Sequence, residues 1–312
     1  MMEGFEVTGE KERDLISLDS LSRGEMSEIV DRAGEHRRAA PSRAPGSALS
    51  GLVGQLFLEP STRTRVSFFS AARRLSLDVV DIDRANSSFT KGESLIDGAR
   101  TLVAQGIAVL VLRQREEGMT ARVSAAVDVP VINAGEGRSS HPTQGLLDLM
   151  TLLDEWGDLT GKRIGIVGDI VHSRVARSDI AAFTAFGAEM VLIGPENLLP
   201  SQQEFPGVSL VGGFDEVLPT LDAVVMLRVQ HERLGDGECP DLDEYVAAYR
   251  LDSKRLKAAG TDLLVLHPGP MNRGIEITDE VADGEHSRVL AQVANGVHLR
   301  MAILERALTE PA

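Results

Sequence analysis

The apolar residues of this chain fall into two kinds of stretch. Gly51 to Leu58, Val79 to Ile82, Ile107 to Leu112 and Val129 to Asn133 are short, nearly continuous apolar runs, the pattern of buried strands. Ser20 to Arg38, Thr62 to Leu75, Ser94 to Ala104, Thr120 to Ala126 and Pro142 to Trp156 read as helices instead. In the first of these, Leu21, Met26, Ile29 and Val30 share an apolar side; in the second, Val66, Phe69, Ala72 and Arg73 stand near helical spacing. Pro142 suits a first helical turn, where no N–H is needed. Loops are expected at Pro41 to Gly46, Asp83 to Gly92 and Ala134 to Ser140. Strand and helix alternate, which implies a parallel sheet covered on both faces.

After Trp156 the alternation restarts at Asp158 to Gly161. Strands are expected at Arg163 to Val167, Met190 to Ile193, Asp222 to Leu227 and Leu263 to Leu266, with a helix from Ser173 to Phe186. A long amphipathic helix, Val289 to Ala307, closes the chain. The expected fold is α/β: two doubly wound parallel-sheet domains, with the C-terminal helix returning to the first. Open sheets of this kind bind ligands beyond the carboxyl ends of their strands.

A chain of 312 residues suits two domains of ordinary size. Its 43% hydrophobic and 25% charged residues are ordinary globular values, unlike those of a disordered chain. The formal charge of −15 argues against a nucleic-acid partner, which needs a basic face. Small anions are not excluded, because a few arginines and helix N-termini capture them locally. Cys239 is the sole cysteine, so no intrachain disulfide forms and no cysteine-based zinc site is expected; it reads as a loop residue. No apolar run is long enough to span a membrane, and Met1 to Asp14 lacks a signal-peptide core, so a cytoplasmic location is expected. Residues 1–13 read as a flexible leader.

The first expected strand runs straight into Glu59, Pro60, Ser61, Thr62, Arg63, Thr64 and Arg65, and a helix follows at once. A helix start offers unpaired N–H groups and partial positive charge. Hydroxyls from Ser61, Thr62 and Thr64 and the planar fork of Arg63 complete an anion site. The alternative is that Ser61 or Thr62 merely caps the helix while the arginines are solvated. A second loop-to-helix junction holds His141, Pro142, Thr143 and Gln144.

Together, these two segments resemble the carbamoyl-phosphate signatures of the aspartate and ornithine carbamoyltransferases, and the resemblance runs from about Ser17 to Leu308. It implies a first domain of residues 14–150 plus 289–312 that binds carbamoyl phosphate, and a second, 151–288, that binds aspartate. Ser61, Thr62, Arg63 and Thr64 would hold the phosphate. Arg113, ending the strand Ile107 to Leu112, would contact the carbonyl and phosphate oxygens. His141 would bond the carbonyl oxygen and Gln144 the amide. Arg63, Thr64, Arg113 and His141 are the expected catalytic groups. The loop Ser87 to Glu93 would supply Lys91 and a serine, Ser88 or Ser87, to a neighbouring subunit, which implies a homotrimer.

On the acceptor side, Gly165 and Gly168 do not complete the Gly-x-Gly-x-x-Gly fingerprint, so a dinucleotide oxidoreductase is weakly supported. The resemblance instead makes Arg174 a carboxylate anchor; Arg177, one turn on, reads as a structural or ion-pairing residue. It assigns Arg228, Gln230, Lys91, Pro268 and Gly269 to aspartate, and Arg233 to loop support. A dicarboxylate needs two cationic anchors, whereas Arg228 would repel the side chain of ornithine. The cysteine motif of the ornithine enzymes is absent from His267 to Pro270. The implied reaction is carbamoyl transfer to the aspartate α-amine, early in pyrimidine biosynthesis, with no metal or organic cofactor. A non-catalytic scaffold paralogue is the alternative from another class, and it would be expected to lack Arg63, His141 or Arg228. A free trimer and a larger assembly with regulatory chains or a dihydroorotase both stay open.

Overall fold

The computed structural model describes residues 11–39, 49–85, 87–229, 241–259 and 262–309. They fall into two compact units, Met1–Leu146 with Asn295–Ala312, and Leu147–Ala294. The division lies inside two helices, Pro142–Trp156 and Val289–Leu308.

In the first unit the order is α1 (Arg23–Arg38), β1 (Leu52–Phe57), α2 (Thr62–Arg74), β2 (Asp78–Asp83), α3 (Leu95–Ala104), β3 (Ile107–Gln114), α4 (Met119–Ala126), β4 (Val131–Glu136) and the start of α5 (Pro142–Trp156). Helix α1 begins at Arg23, later than its apolar pattern suggests, because Ser22 and Glu25 form a capping box there. All strand pairs are parallel, in the order β2-β1-β3-β4. The chain moves from β1 to one side, then returns to place β3 on the other. The topological switch therefore lies between β1 and β3, where such sheets open a ligand crevice. Phe57 lies opposite Arg113, and Leu58 N–H donates to Arg113 O at 2.9 Å. Leu56, Leu110, Leu112, Val123 and Val131 pack the core on one face.

Three expectations are corrected here. Strand β4 runs from Val131 to Glu136, further than Val129 to Asn133, and takes in part of the expected Ala134 to Ser140 loop. Strand β3 likewise continues to Gln114, which puts Arg113 inside it. The apolar signal stops early because buried polar partners finish both strands: Gln114 Nε2 donates to Glu136 Oε1 at 2.7 Å, and Thr120 N–H does so at 2.6 Å. The third concerns α2, which buries Phe68, Ala71 and Ala72 but leaves Val66 57% and Phe69 49% exposed. Residues 1–10 of the expected leader and the whole of the Pro41 to Gly46 loop lie outside the described residues. Lys11 is docked, its Nζ donating to Ser124 O and Val129 O, both at 2.9 Å.

The second unit holds β5 (Arg163–Val167), α6 (Arg174–Ala185), β6 (Glu189–Ile193), β7 (Ser209–Val211), α7 (Phe214–Val217), β8 (Ala223–Met226), α8 (Leu242–Tyr249), α9 (Ser253–Ala259), β9 (Leu264–Leu266), α10 (Asp279–Ala282) and the start of α11 (Val289–Leu308). Its parallel sheet has the order β7-β6-β5-β8-β9, so its switch lies between β5 and β8. Val167, Val191, Val224, Met226, Tyr245 and Val265 share its core. Strand β7 and helices α7 to α10 were not anticipated. The longest of these has 8 residues, too few for a periodic apolar pattern to stand out. The C-terminal helix belongs to the first unit from Asn295 onward; within it, Glu305 pairs with Arg32 of α1 at 2.6 Å.

Candidate active site

The carboxyl end of β1 delivers Ser61 to the N-cap of α2 in an extended conformation, φ −162° and ψ 108°, and its side chain makes no capping hydrogen bond. In contrast, Ser22, Ser94 and Ser173 each accept an N–H from their own helices. The capping alternative for Ser61 therefore does not hold. The first-turn N–H groups of α2 face the switch point without a side-chain cap, an arrangement suited to an anion. Thr64 is buried, while Thr62 and Arg63 are exposed.

Arg63 and Arg65 differ sharply. Asp81 and Asp83 hold Arg65 and raise its pKa. No ion pair holds Arg63 among the described residues, and desolvation alone lowers its pKa. Its guanidinium still keeps its charge at neutral pH. Arg113 projects from β3 beside this loop, with Nη1 donating to Ala134 O at 3.2 Å and Nε 4.0 Å from Glu59 Oε2. Glu59 also meets Arg115 Nε at 3.3 Å, so one carboxylate at the end of β1 steadies two arginines.

His141 and Gln144 are both buried at the start of α5. His141 O accepts the N–H groups of Gln144 at 2.8 Å and Gly145 at 3.2 Å, which sets their side chains one turn apart. Ser88 and Lys91 lie in a short 3-10 turn, Ser88–Lys91. Ser88 donates to the Glu93 carboxylate, Ser87 donates to Arg84 O at 3.2 Å, and Lys91 is exposed. Among the described residues, no hydrogen bond or ion pair ties Ser88 or Lys91 to Ser61, Thr64, Arg113 or His141 of the same chain.

In the second unit, the ends of β5 and β8 come together at Gly168. Its φ is +128°, and a Cβ there would lie 2.7 Å from Leu227 O, a distance only glycine avoids. Ser173 then caps α6 through Ala176 N–H at 3.1 Å, and Arg174, the first helical residue, is buried. Arg177 pairs with Glu204 at 2.5 Å, which is its expected ion-pairing role. Arg228 is half-buried, two residues beyond β8 across the switch from Arg174. Gln230, Arg233 and Cys239 lie outside the described residues. Pro268 and Gly269 follow β9, in a turn whose Gly269–Pro270 peptide is cis. Gly269 N–H donates to His267 Nδ1 at 2.8 Å, which leaves the ring proton on Nε2, 3.1 Å from Glu276 Oε1. No cluster of metal-ligating side chains occurs among the described residues.

Residues 13–154 match the carbamoyl-phosphate-binding domain of the aspartate/ornithine carbamoyltransferases, and residues 160–307 match their aspartate/ornithine-binding domain. The chain belongs to this family. It is 49% identical over 302 residues to an aspartate carbamoyltransferase catalytic subunit of Xanthomonas campestris pv. campestris, covering 95% of this chain and 96% of that protein. A protein of the same name from Stenotrophomonas maltophilia is 47% identical over 304 residues, with the same coverage. Among solved structures, the aspartate transcarbamoylase of Trypanosoma cruzi with carbamoyl aspartate and phosphate superposes with a TM-score of 0.87 at 29% identity, over 95% of this chain and 96% of that one. An ornithine carbamoyltransferase from Pyrococcus furiosus also superposes, with a TM-score of 0.82 at 26% identity, over 95% and 97%. The carbamoyltransferase fold therefore does not choose the acceptor.

Sequence reasoning passed over three supporting groups of this carbamoyltransferase. Arg300 of α11 is buried and donates to Ser67 Oγ of α2 at 3.0 Å and to Thr143 Oγ1 of α5 at 3.2 Å. It thus braces the two helices that begin at Ser61 and His141. Glu59 steadies Arg113, and Glu276 orients His267. Only Glu59 carried a signal, as a charged residue directly following a buried strand.

Proposed function

We propose that this chain transfers the carbamoyl group of carbamoyl phosphate to the α-amine of L-aspartate, as the catalytic chain of an aspartate carbamoyltransferase. The uncapped N-terminus of α2, with Arg63 uncommitted beside it, is the observation that carries the reading. A dianionic phosphate suits such a site. The relatives named for this activity, and the crystal complexes with its substrates and products, support it.

In this reading the first unit binds carbamoyl phosphate. Ser61, Thr62, Arg63 and Thr64 hold the phosphate, with Arg113, His141 and Gln144 around the carbamoyl end. The second unit binds aspartate through Arg174, Arg228 and Gln230, with Pro268 and Gly269 contacting the carbamoyl and amino groups. The neutral amine attacks the carbonyl carbon. As charge builds on the carbonyl oxygen, Thr64, Arg113 and His141 stabilise it as preorganised donors. The carbon–oxygen bond to phosphate then breaks, and phosphate leaves with the electron pair and takes up the amine proton. Products are N-carbamoyl-L-aspartate and phosphate. No side chain acts as nucleophile; catalysis comes from positioning and fixed charge.

The exposed turn carrying Ser88 and Lys91 supports a shared site. A neighbouring copy supplies that serine and lysine to the phosphate and aspartate groups, and the working unit is a homotrimer in the cytoplasm. The trimer acts alone or within a larger assembly with regulatory chains or a dihydroorotase. The deciding experiment is an assay of carbamoyl product with aspartate and ornithine as competing acceptors. Carbamoyl aspartate as the main product is expected. Citrulline in its place overturns the acceptor, and no product from either overturns the reaction.

A further inference from the structure

Glycine is costly inside a helix, because it loses more backbone freedom on folding than alanine and brings no side chain to pack. Gly98 nevertheless stands inside α3, its N–H donating to Ser94 O at 3.0 Å. Its φ is not in the left-handed region, so backbone conformation does not call for glycine. Space does. A Cβ on Gly98 would lie 2.6 Å from Cζ and 2.7 Å from Cε1 of Phe89, closer than carbon atoms approach without a shift. The Phe89 ring therefore rests on the backbone of α3.

Phe89 belongs to the turn Ser88–Lys91. Ser88, Thr90 and Lys91 are exposed, whereas Phe89 is half-buried and packs against the core cluster that includes Ala99 of α3. The hydrogen bonds of the turn are local. Thr90 donates to Ser87 O from its N–H at 3.2 Å and from its Oγ1 at 2.8 Å. Gly92 N–H donates to Phe89 O at 3.3 Å, and Ser88 donates to the Glu93 carboxylate. These bonds tie Ser88 and Lys91 to Phe89 as one piece. The ring seated on Gly98 sets how that piece stands against the helix.

We propose that Phe89 and Gly98 form a clasp that sets the reach of Ser88 and Lys91 toward a neighbouring copy, so that both act as positioning residues for a phosphate site they do not touch. This rests on the reading that the turn serves a neighbour's site. A methyl group at position 98 pushes the ring outward, and the turn moves with it. An ångström of misplacement is enough to weaken a preorganised clamp.

Mixed trimers of the full-length protein test the clasp. Ser61→Ala chains keep a sound turn, and Lys91→Ala chains keep a sound phosphate loop. Their one working junction takes its turn from a Ser61→Ala chain and its loop from a Lys91→Ala chain. Gly98→Ala added to the Ser61→Ala chain should lower the kcat/KM of that junction for carbamoyl phosphate about tenfold or more. The same substitution added to the Lys91→Ala chain should change it by less than about twofold, because the turn of that chain is already out of use. General damage to the chain that carries Gly98→Ala would spoil its own phosphate loop as well, so equal loss in the two placements overturns the proposal. No loss in either placement overturns it too. A second variant works through the other half of the clasp. Phe89→Leu shortens the side chain and makes room for the methyl group. Adding Gly98→Ala to a Ser61→Ala chain that already carries Phe89→Leu should therefore cost less than about threefold. A loss as large as with Phe89 present overturns the clasp. Confirmed mixed trimers that are inactive before Gly98→Ala is added mark the failure of the shared site itself, and the clasp falls with it. Active mixed trimers with equal loss in both placements mark the failure of the clasp alone.

Discussion

Arg65 and Asp81 form a close ion pair in which Nε contacts both carboxylate oxygens, at 2.8 and 2.7 Å, and Nη2 reaches Oδ2 at 2.6 Å. Two residues away, Arg63 has no such partner among the described residues. The alternation matters for the phosphate site. One arginine is committed to β2, the strand beside β1, and in the proposed function its near neighbour keeps its fork for a ligand. Arg63→Ala should therefore lower kcat/KM by about 10²- to 10³-fold while changing stability by less than about 0.5 kcal/mol. Arg65→Ala should instead lose up to about 1 kcal/mol of stability, because the pair is partly solvent-screened. Steady-state kinetics and denaturant unfolding of the two variants check the contrast.

Arg300→Met should loosen the brace between α2 and α5. Its hydrogen bonds to Ser67 and Thr143, and its position 5.2 Å above the Phe68 ring, are lost together. A stability loss of about 1–3 kcal/mol is expected, with a raised KM for carbamoyl phosphate and a smaller change for aspartate. Denaturant unfolding and substrate titrations in both directions check it.

Glu305 gives a pH prediction with a definite sign. Hydrogen bonds from Arg32 and His36, together with their charges, outweigh burial and hold its carboxyl below the ordinary glutamate range. A depressed folded-state pKa adds stability above the unfolded pKa and loses it as pH falls through the folded one. Glu305→Gln should therefore be less stable than wild type at neutral pH, by at most about 1 kcal/mol. The gap should close on acidification below the ordinary glutamate pKa. Thermal unfolding of both proteins across that range measures the gap.

Shared sites predict complementation between dead variants. Ser61→Ala spoils one side of a site and Lys91→Ala the other. Each mixed trimer contains one junction where both are intact. Equal random mixing should restore about a quarter of wild-type activity, since about three-quarters of trimers are mixed and each has one working site in three. Native mass measurement confirms the mixing, and confirmed mixed trimers without activity would count against a shared site.

Much of this was legible in the sequence for a physical reason: local signals report local structure. Ser61 to Arg65 directly follows an apolar run and opens a helix, and the structure places it at that junction. The helix from Pro142 to Trp156 and the strand from Arg163 to Val167 have the expected bounds. Where polar partners finish a strand, as Glu136 and Gln114 do, hydropathy stops short. In α2, the apolar pattern did not say that Phe68, rather than Phe69, faces inward.

By itself, the sequence determined the alternation of strands and helices, the placement of the Ser61 loop at a strand-to-helix junction, and the family. Tertiary structure decided which arginine of that loop is held in an ion pair. It set Asp81 against Arg65 and brought Arg300 to Thr143 across 157 residues. These outcomes depend on sheet order and helix packing, which bring together side chains that no local spacing relates.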